Sequence, residues 1–363
     1  MLITIVAGAR PNFMKIAPII KSLKIAQSSY PNLQYRLVHT GQHFDSKMST
    51  VFFDQLGIPN PDINLACGGG TQAEQTGSIM KGFELELNQH RPEVVLVVGD
   101  VTSTMACAIT TKKMCIPCVH VEAGIRSGDM TMPEEINRIV TDSICDEFFT
   151  TTTLANAFLT SQKIPAHRIH FVGNTMIDTL MQNLGKLKKP SFWDDLQLKA
   201  QHYFILTLHR PSNVDDPIKL KEILLSIACM LKDYFIIFPA HPRTKTILDG
   251  LGIEISNLIL VEPQSYLEFI YLVNSSKGII TDSGGITEEA TVLNIPCITM
   301  RETTERPETI TYGTNVLVGN DLSTLQKKVI DIIDGNWKTA TIPERWDGRS
   351  AERIVDIMIS KYY

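Results

Sequence analysis

Short runs of aliphatic and β-branched residues recur along the chain, and this pattern constrains the fold more than any other feature. Residues 2–6, 94–98 and 203–208 are examples. Each run ends in a polar or glycine-bearing tip and is followed by a helix-like segment. Strands that alternate with helices are typical of βαβ units and parallel sheets. The sequence therefore predicts an α/β protein.

A polar, proline-bearing segment at residues 185–191 marks the best boundary between two halves, each with its own series of strands and helices. We predict an N-terminal Rossmann-like domain at 1–185 and a C-terminal one at 186–347. An amphipathic segment at 348–363 is predicted to return to the first domain. The 363 residues are enough for two full cores, and weak symmetry between the halves indicates two domains facing a cleft.

Composition excludes several classes of partner. The 34 basic and 39 acidic residues give a net charge of −5, so no nucleic-acid surface is expected. No apolar run approaches the roughly 20 residues that span a bilayer. The N-terminus lacks the basic and apolar regions of a signal peptide. Seven scattered cysteines fit reduced thiols, and we expect a cytoplasmic protein that binds no membrane.

One stretch, at residues 277–290, has the order strand, Gly-Gly turn and helix start. Free backbone N–H groups and the positive end of the helix dipole suit a phosphate or diphosphate there. Ser283 adds a hydroxyl donor, Gly284 and Gly285 allow close approach, and Glu289 could accept hydrogen bonds from a ribose. An ordinary capped strand–helix turn is the alternative interpretation.

Two cations follow the first predicted strand. Arg10 and Lys15 lie where open α/β sheets place their ligands, at the carboxyl edge. They could instead be solvated surface charges. The position favours a role in binding an anionic ligand.

Three carboxylates also fall at strand tips and at a helix start. Asp100 and Glu122 each end an apolar run, and Glu134 opens a helix with Arg138 four residues later. Helix-end charge and a salt bridge would account for Glu134 and Arg138, but not for all three carboxylates. Carboxylates converging on one edge are suited to acid–base chemistry on a neutral sugar.

Two histidines, His209 and His241, end strands in the half that holds the Gly-Gly turn. A histidine in such a place is more often structural than catalytic. Two of them together favour a functional role, and His209, followed by Arg210, is the stronger candidate.

Taken in order, these motifs closely resemble the non-hydrolysing UDP-N-acetylglucosamine 2-epimerases, bacterial enzymes with a glycosyltransferase-B-like fold. The resemblance spans nearly the whole chain. It rests on Gly8-Ala9-Arg10-Pro11 through Lys15, Thr40-Gly41-Gln42-His43, Gly99-Asp100, His120-Val121-Glu122-Ala123-Gly124, Pro133-Glu134-Glu135 with Asn137-Arg138, Leu208-His209-Arg210, His241-Pro242, Asp282-Ser283-Gly284-Gly285 with Glu288-Glu289, and Thr304-Glu305-Arg306-Pro307-Glu308.

The resemblance implies that UDP is eliminated from C1 with loss of the C2 proton, and that UDP then adds back to a 2-acetamidoglucal. It implies no redox cofactor and no metal, a role in surface polysaccharide precursors, and a homodimer. Proton transfer at the sugar would fall to, or be supported by, Asp100, Glu122, Glu134 and His209, with Arg138 beside them. The UDP moiety would be held by Arg10, Lys15, Ser283, Gly284, Gly285 and Arg306 at the phosphates, Glu289 at the ribose, and Gln264 and Phe269 near the uracil.

The chain departs from the family pattern at one loop. Some relatives hold a second, activating UDP-N-acetylglucosamine with equivalents of Gln42 and His43 and a basic residue in the following loop. Here that loop, residues 67–72, contains no cation. We therefore expect weak or absent activation by this nucleotide sugar.

The departure also leaves the identity of the sugar open. Epimerases of UDP-2,3-diacetamido sugars and hydrolysing 2-epimerases share most of the motifs. A retaining glycosyltransferase of the same architecture and a non-catalytic nucleotide-sugar sensor are the alternatives from other classes.

Overall fold

The computed structural model describes residues 1–42, 53, 55–240, 242–252 and 254–363. The sequence candidates His43 and His241 lie outside this description. The chain divides into two compact units. Unit 1 comprises Met1–Gln182 with Glu344–Tyr363, and unit 2 comprises Asn183–Pro343.

Unit 1 contains a seven-stranded sheet in which every pairing is parallel, with the strand order β3-β2-β1-β4-β5-β6-β7. The order reverses between β1 and β4, as in a Rossmann fold. The strands are β1 Leu2–Ala7, β2 Gln34–His39, β3 Ile63–Asn64, β4 Val94–Val98, β5 Cys118–Val121, β6 Glu147–Thr150 and β7 Ile169–Phe171.

The helices described in unit 1 alternate with these strands along the sequence. They are α1 Arg10–Ala26, α2 Gln72–Gln89, α3 Thr102–Lys113, α4 Pro133–Ile144, α5 Thr153–Ser161 and α6 Thr175–Asn183, whose last residue belongs to unit 2, with a short 3₁₀ turn at Ala166–Arg168.

Unit 2 repeats the design with a six-stranded parallel sheet in the order β10-β9-β8-β11-β12-β13. Its strands are β8 Tyr203–Thr207, β9 Phe235–Pro239, β10 Leu258–Val261, β11 Gly278–Thr281, β12 Cys297–Thr299 and β13 Asn315–Leu317. Its helices are α7 Phe192–Asp195, α8 Pro211–Val214, α9 Pro217–Met230, α10 Pro242–Leu251, α11 Tyr266–Ser275, α12 Gly285–Leu293, α13 Pro307–Thr311 and α14 Leu322–Ile333, with a 3₁₀ turn at Leu184–Lys186.

The predicted α/β class and the two Rossmann-like sheets are confirmed. The central strands are largely apolar because helices cover both faces of a parallel sheet. All five residues of β4 and all four of β5 are buried. The sequence missed β3 and β13, edge strands of two and three residues, because runs that short carry no periodic signal.

The last helix, α15 Ser350–Tyr362, is anchored within unit 1 by a buried carboxylate. Asp178 accepts hydrogen bonds from the backbone N–H groups of Ser350 (3.1 Å) and Ala351 (2.7 Å). At the other end of the helix, Lys361 donates to Glu147 at 2.8 Å. Across the described ranges, the helices are too short or too polar to cross a membrane.

Candidate active site

The first cluster of candidate residues is built on Asn12, which ties the tip of β1 to the tip of β4. Its Oδ1 accepts from the backbone N–H groups of Gly8 and Ala9, both at 3.1 Å, and its Nδ2 donates to the carbonyl of Val98 at 3.0 Å. Lys15 follows in the same helix and forms an ion pair with Glu122 at the end of β5. Two sequence candidates thus meet at the topological switch point of the sheet.

Glu122 adopts an unusual backbone conformation with φ of +74°, in the left-handed region that side chains other than glycine rarely enter. Such a conformation costs about 1–3 kcal/mol and concentrates at functional sites. The backbone N–H donates to the carbonyl of Phe149 at 2.9 Å, which holds the strained residue in place. The position of the Glu122 carboxylate is therefore determined by its backbone conformation as well as by the ion pair with Lys15.

Asp100, at the tip of β4, forms a second pair with Arg138 of α4. The guanidinium also donates to Glu135 at 2.9 Å, and Asn137 Nδ2 donates to the Asp100 carbonyl at 2.8 Å. Burial alone would raise the pKa of Glu135, but the N–H groups of Ser127 and Gly128 and the guanidinium lower it overall. Sequence reasoning missed Glu135 and Asn137 as partners, although both lie in the quoted Pro-Glu-Glu and Asn-Arg motifs.

The other two candidates of unit 1 lie at helix starts. Arg10 is the first residue of α1 and is exposed. Glu134 lies in the first turn of α4 and is half-buried. The structure therefore pairs Lys15 with Glu122 and Arg138 with Asp100 on neighbouring strand tips.

In unit 2, a fully buried carboxylate at the end of β11 organises the loop after β8. Asp282 accepts from the backbone N–H groups of His209 (3.1 Å) and Arg210 (2.9 Å) and from Asn213 Nδ2 (3.0 Å). Burial would raise the pKa of Asp282, but these donors and the His209 side chain lower it below 3.8. Asp282 was part of a quoted sequence motif but was given no role of its own.

The His209 side chain is 56% exposed, and its Nδ1 lies 2.8 Å from Asp282 Oδ1. Because a carboxylate only accepts, this contact places a proton on Nδ1. Nε2 is then the nitrogen available for exchange with a ligand.

The Gly-Gly turn begins directly after Asp282. Ser283 N donates to Thr281 Oγ1 at 2.9 Å, and the nine-residue helix α12 begins at Gly285 without a side-chain cap on Gly284. A Cβ added to Gly285 would meet no atom within 4 Å. The first turn of α12 thus presents backbone N–H groups in the arrangement that binds anions.

The remaining candidates of unit 2 lie before and after this turn in the sequence. Arg306 is buried, with its Nε 2.7 Å from Glu288 Oε1. Glu289 is buried beside Tyr266, whose pKa is raised by burial and by that carboxylate. Gln264 Nε2 donates to the Glu262 carbonyl at 2.6 Å, and Phe269 is half-buried in α11.

Within the described part of the chain, no group of three or more His, Cys, Asp or Glu residues could hold a metal ion.

Comparison with known proteins shows the family. The family model described as UDP-N-acetylglucosamine 2-epimerase matches residues 25–359. The UDP-N-acetylglucosamine 2-epimerase of Methanocaldococcus jannaschii is 40% identical over 99% of both chains. A crystal structure of the enzyme from that organism in complex with UDP-GlcNAc and UDP superposes with a TM-score of 0.88 at 39% identity, covering 99% of this chain and 100% of the other.

A relative with another substrate is equally similar over a shorter span. The UDP-2,3-diacetamido-2,3-dideoxy-D-glucuronate 2-epimerase of Pseudomonas aeruginosa is 40% identical over 88% of each chain.

Proposed function

We propose that this chain, which belongs to the UDP-N-acetylglucosamine 2-epimerase family, interconverts UDP-N-acetylglucosamine and UDP-N-acetylmannosamine without hydrolysis. One observation carries the proposal. Two carboxylates, Asp100 and Glu122, lie on adjacent strand tips, and each is paired with a cation. Two such groups can exchange protons with a sugar carbon, and the neighbouring cation stabilises each carboxylate in its ionised form.

The chemistry consists of one elimination and one addition. Removal of the C2 proton leaves an electron pair that forms the C1–C2 double bond as the C1–oxygen bond breaks, and UDP departs with that bond's electrons. A proton then reaches the opposite face of C2, and the UDP oxygen attacks C1. The sum is an isomerisation with no change in oxidation state, so no oxidant is required.

Unit 1 supports the proton transfers in this proposal. Asp100, Glu122 and Glu134 are assigned to them as a group. Arg138 forms an ion pair with Asp100, and Lys15 forms one with Glu122. In unit 2, His209 is assigned to the proton transfers at the sugar.

The departing UDP needs stabilisation of its developing negative charge. The uncapped N-terminus of α12, with Ser283, Gly284 and Gly285, supplies backbone donors for the diphosphate. Arg10, Lys15 and Arg306 are assigned to the phosphates, Glu289 to the ribose, and Gln264 and Phe269 to the uracil.

Incubation of the purified protein with UDP-N-acetylglucosamine in heavy water tests the proposal. Proton NMR should show deuterium entering at C2 of both sugars while the UDP linkage persists. Free N-acetylmannosamine as the product would instead indicate a hydrolysing enzyme. Transfer that requires an acceptor would indicate a glycosyltransferase, and no turnover would indicate a sensor.

An epimerase of a UDP-2,3-diacetamido sugar is the second candidate, favoured by the 40% identity to the Pseudomonas aeruginosa enzyme. The same heavy-water assay with that sugar nucleotide decides between the two. The proposal holds if UDP-N-acetylglucosamine has the higher kcat/KM.

A homodimer, a cytoplasmic location and a role in surface polysaccharide precursors are proposals from the family resemblance. Sedimentation analysis of the purified protein tests the first of them.

A further inference from the structure

A fully buried histidine, His120, lies beneath the unit 1 cluster. It is the third residue of β5 and has no exposed surface. Its Nε2 lies 2.8 Å from the Gly99 carbonyl, and its Nδ1 lies 2.7 Å from Asp142 Oδ1. Both ring nitrogens therefore face oxygen atoms.

The chemical nature of these two oxygen atoms determines how many protons the His120 ring carries. A backbone carbonyl can only accept, and Asp142 accepts through its other oxygen from Gly124 N at 3.0 Å and pairs with Arg126 at 2.7 Å. A neutral imidazole would leave one ring lone pair against an oxygen lone pair at hydrogen-bond distance, which is repulsive. An unpaired charge at this depth would also be costly. A doubly protonated imidazole beside an ionised Asp142 satisfies every contact.

The Gly99 carbonyl matters because Asp100 is the next residue. Gly99 has φ of +70° and its N–H donates to the Val121 carbonyl at 3.0 Å. A Cβ built on Gly99 would lie 3.0 Å from Lys15 Nζ and 3.3 Å from Glu122 Oε2. The peptide that His120 holds therefore lies against one ion pair and leads into the other.

We propose that His120 is a positioning residue. It is protonated on both ring nitrogens and holds the Gly99 carbonyl, so that Asp100 and the Lys15–Glu122 pair keep their reactive geometry. This inference rests on the proposed function where it assigns Asp100 and Glu122 to proton transfer. A displacement of such groups by about 1 Å lowers turnover by about 10²-fold.

Two substitutions of similar polarity distinguish a positioning role of His120 from a role in filling the core. In His120→Gln the amide nitrogen takes the place of Nε2 and can still donate to Gly99. In His120→Asn it takes the place of Nδ1 and reaches only Asp142. We expect kcat to fall about 10²-fold in His120→Asn and less than about tenfold in His120→Gln, with UDP affinity unchanged in both.

Asp142→Asn provides a second comparison that leaves the histidine in place. Its amide can donate to Nδ1 of a neutral imidazole, so the Nε2–H bond to Gly99 is kept. We expect kcat within about tenfold of wild type, whereas Asp142→Ala, which leaves Nδ1 without a partner, should lose about 10²-fold. Equal losses within each pair of variants would overturn the proposal.

A measurement that does not need activity completes the test. In the wild-type protein labelled with ¹⁵N-histidine, the ring of His120 should show a proton on both nitrogens. Both signals should be absent from His120→Gln, which assigns them. If that variant does not fold, through-space contacts between the ring N–H protons and the Gly99–Asp100 peptide assign the signals in the wild type. A single proton on His120 would overturn the proposal. Absence of turnover by the wild type would refute the proposed function, and the NMR result would still decide the protonation of His120.

Discussion

The strand order reverses between β1 and β4 in unit 1 and between β8 and β11 in unit 2, and the candidate residues of each unit lie at or beside this reversal, at the tips of β4 and β5 in unit 1 and of β8 and β11 in unit 2. The chemical groups at these tips differ between the two units. The unit 1 tips carry carboxylates that form ion pairs with cations of the neighbouring helices, in Lys15–Glu122 and Asp100–Arg138. The unit 2 tips carry one buried carboxylate, Asp282, an exposed histidine, and a helix N-terminus without a side-chain cap.

The difference shows how one topology can serve two tasks. A parallel sheet delivers strand ends to one edge, and the residues placed there decide the chemistry. Charged side chains suit proton transfer, whereas backbone N–H groups suit the binding of a diphosphate. Substitutions of Asp100 and Glu122 in unit 1 should therefore change kcat, and substitutions at the turn of unit 2 should change UDP affinity.

The largest effect is expected from the unit 1 carboxylates. Asp100→Asn and Glu122→Gln keep the shape of each side chain but remove its ionisable group. Each should lower kcat about a hundredfold or more, the scale of a lost acid–base group, with UDP affinity changed little. Steady-state kinetics and calorimetry measure the two quantities. Glu84→Gln, an exposed position of α2, is the control. Near-normal turnover in either variant would remove that residue from the proton transfers.

The next largest effect is expected at the diphosphate turn. Gly285→Val places a branched side chain where the phosphates would approach, and it should weaken UDP binding by about tenfold or more. The fold should be unaffected because a Cβ at this position meets no atom within 4 Å. Calorimetric titration with UDP provides the measurement. Gly250→Val, at an exposed helical glycine of the same unit that also has open space around it, should leave the affinity unchanged. Unchanged affinity in a folded Gly285→Val protein would exclude the turn from the site.

A smaller effect is expected on stability from Asp282→Asn. The amide cannot accept from all four donors, so the free energy of unfolding should fall by about 1–3 kcal/mol at neutral pH. The pKa of Asp282 lies below 3.8 in the folded protein, so its stabilising contribution is complete above 3.8 and is lost as the pH falls through the folded value.

Denaturant unfolding over a pH series measures this contribution. The stability difference between wild type and Asp282→Asn should shrink below pH 3.8, the ordinary value of the group. The exposed Asp233→Asn is the control in the same unit. A difference that does not depend on pH would show that Asp282 is not stabilised as an anion.

The smallest effect is expected from added UDP-N-acetylglucosamine in the reverse reaction. Two diphosphates close together repel each other unless cations offset the charge, and the loop at residues 67–72 contains none. Gln42 Oε1 also already accepts from Ser103 N (3.1 Å) and Oγ (2.7 Å) at the start of α3. UDP-N-acetylmannosamine alone should therefore turn over without a lag. A strict requirement for the activator would show that another loop supplies the cations.

Much of the architecture was predictable because the alternation of buried strands and helices is a local property of the sequence. The predicted run at residues 94–98 is β4, with the same boundaries. The partners of the site residues were not predictable. Lys15 and Glu122 are 107 residues apart in the sequence. The structure pairs Arg138 with Asp100 and with Glu135, three positions away, whereas the sequence suggested a salt bridge with Glu134, four positions away.

Local residue patterns were enough to identify the side chains at strand tips, because a tip follows directly from the end of an apolar run. Which tips are neighbours, and which cation pairs with each carboxylate, depended on how the chain folds in three dimensions. The tertiary structure placed Asp142 against His120, and Asp282 under the His209 loop, since these contacts depend on strand order and on the packing of side chains across helices. Strand order in a parallel sheet is set by the crossover connections and the shared core, which no local run of residues encodes.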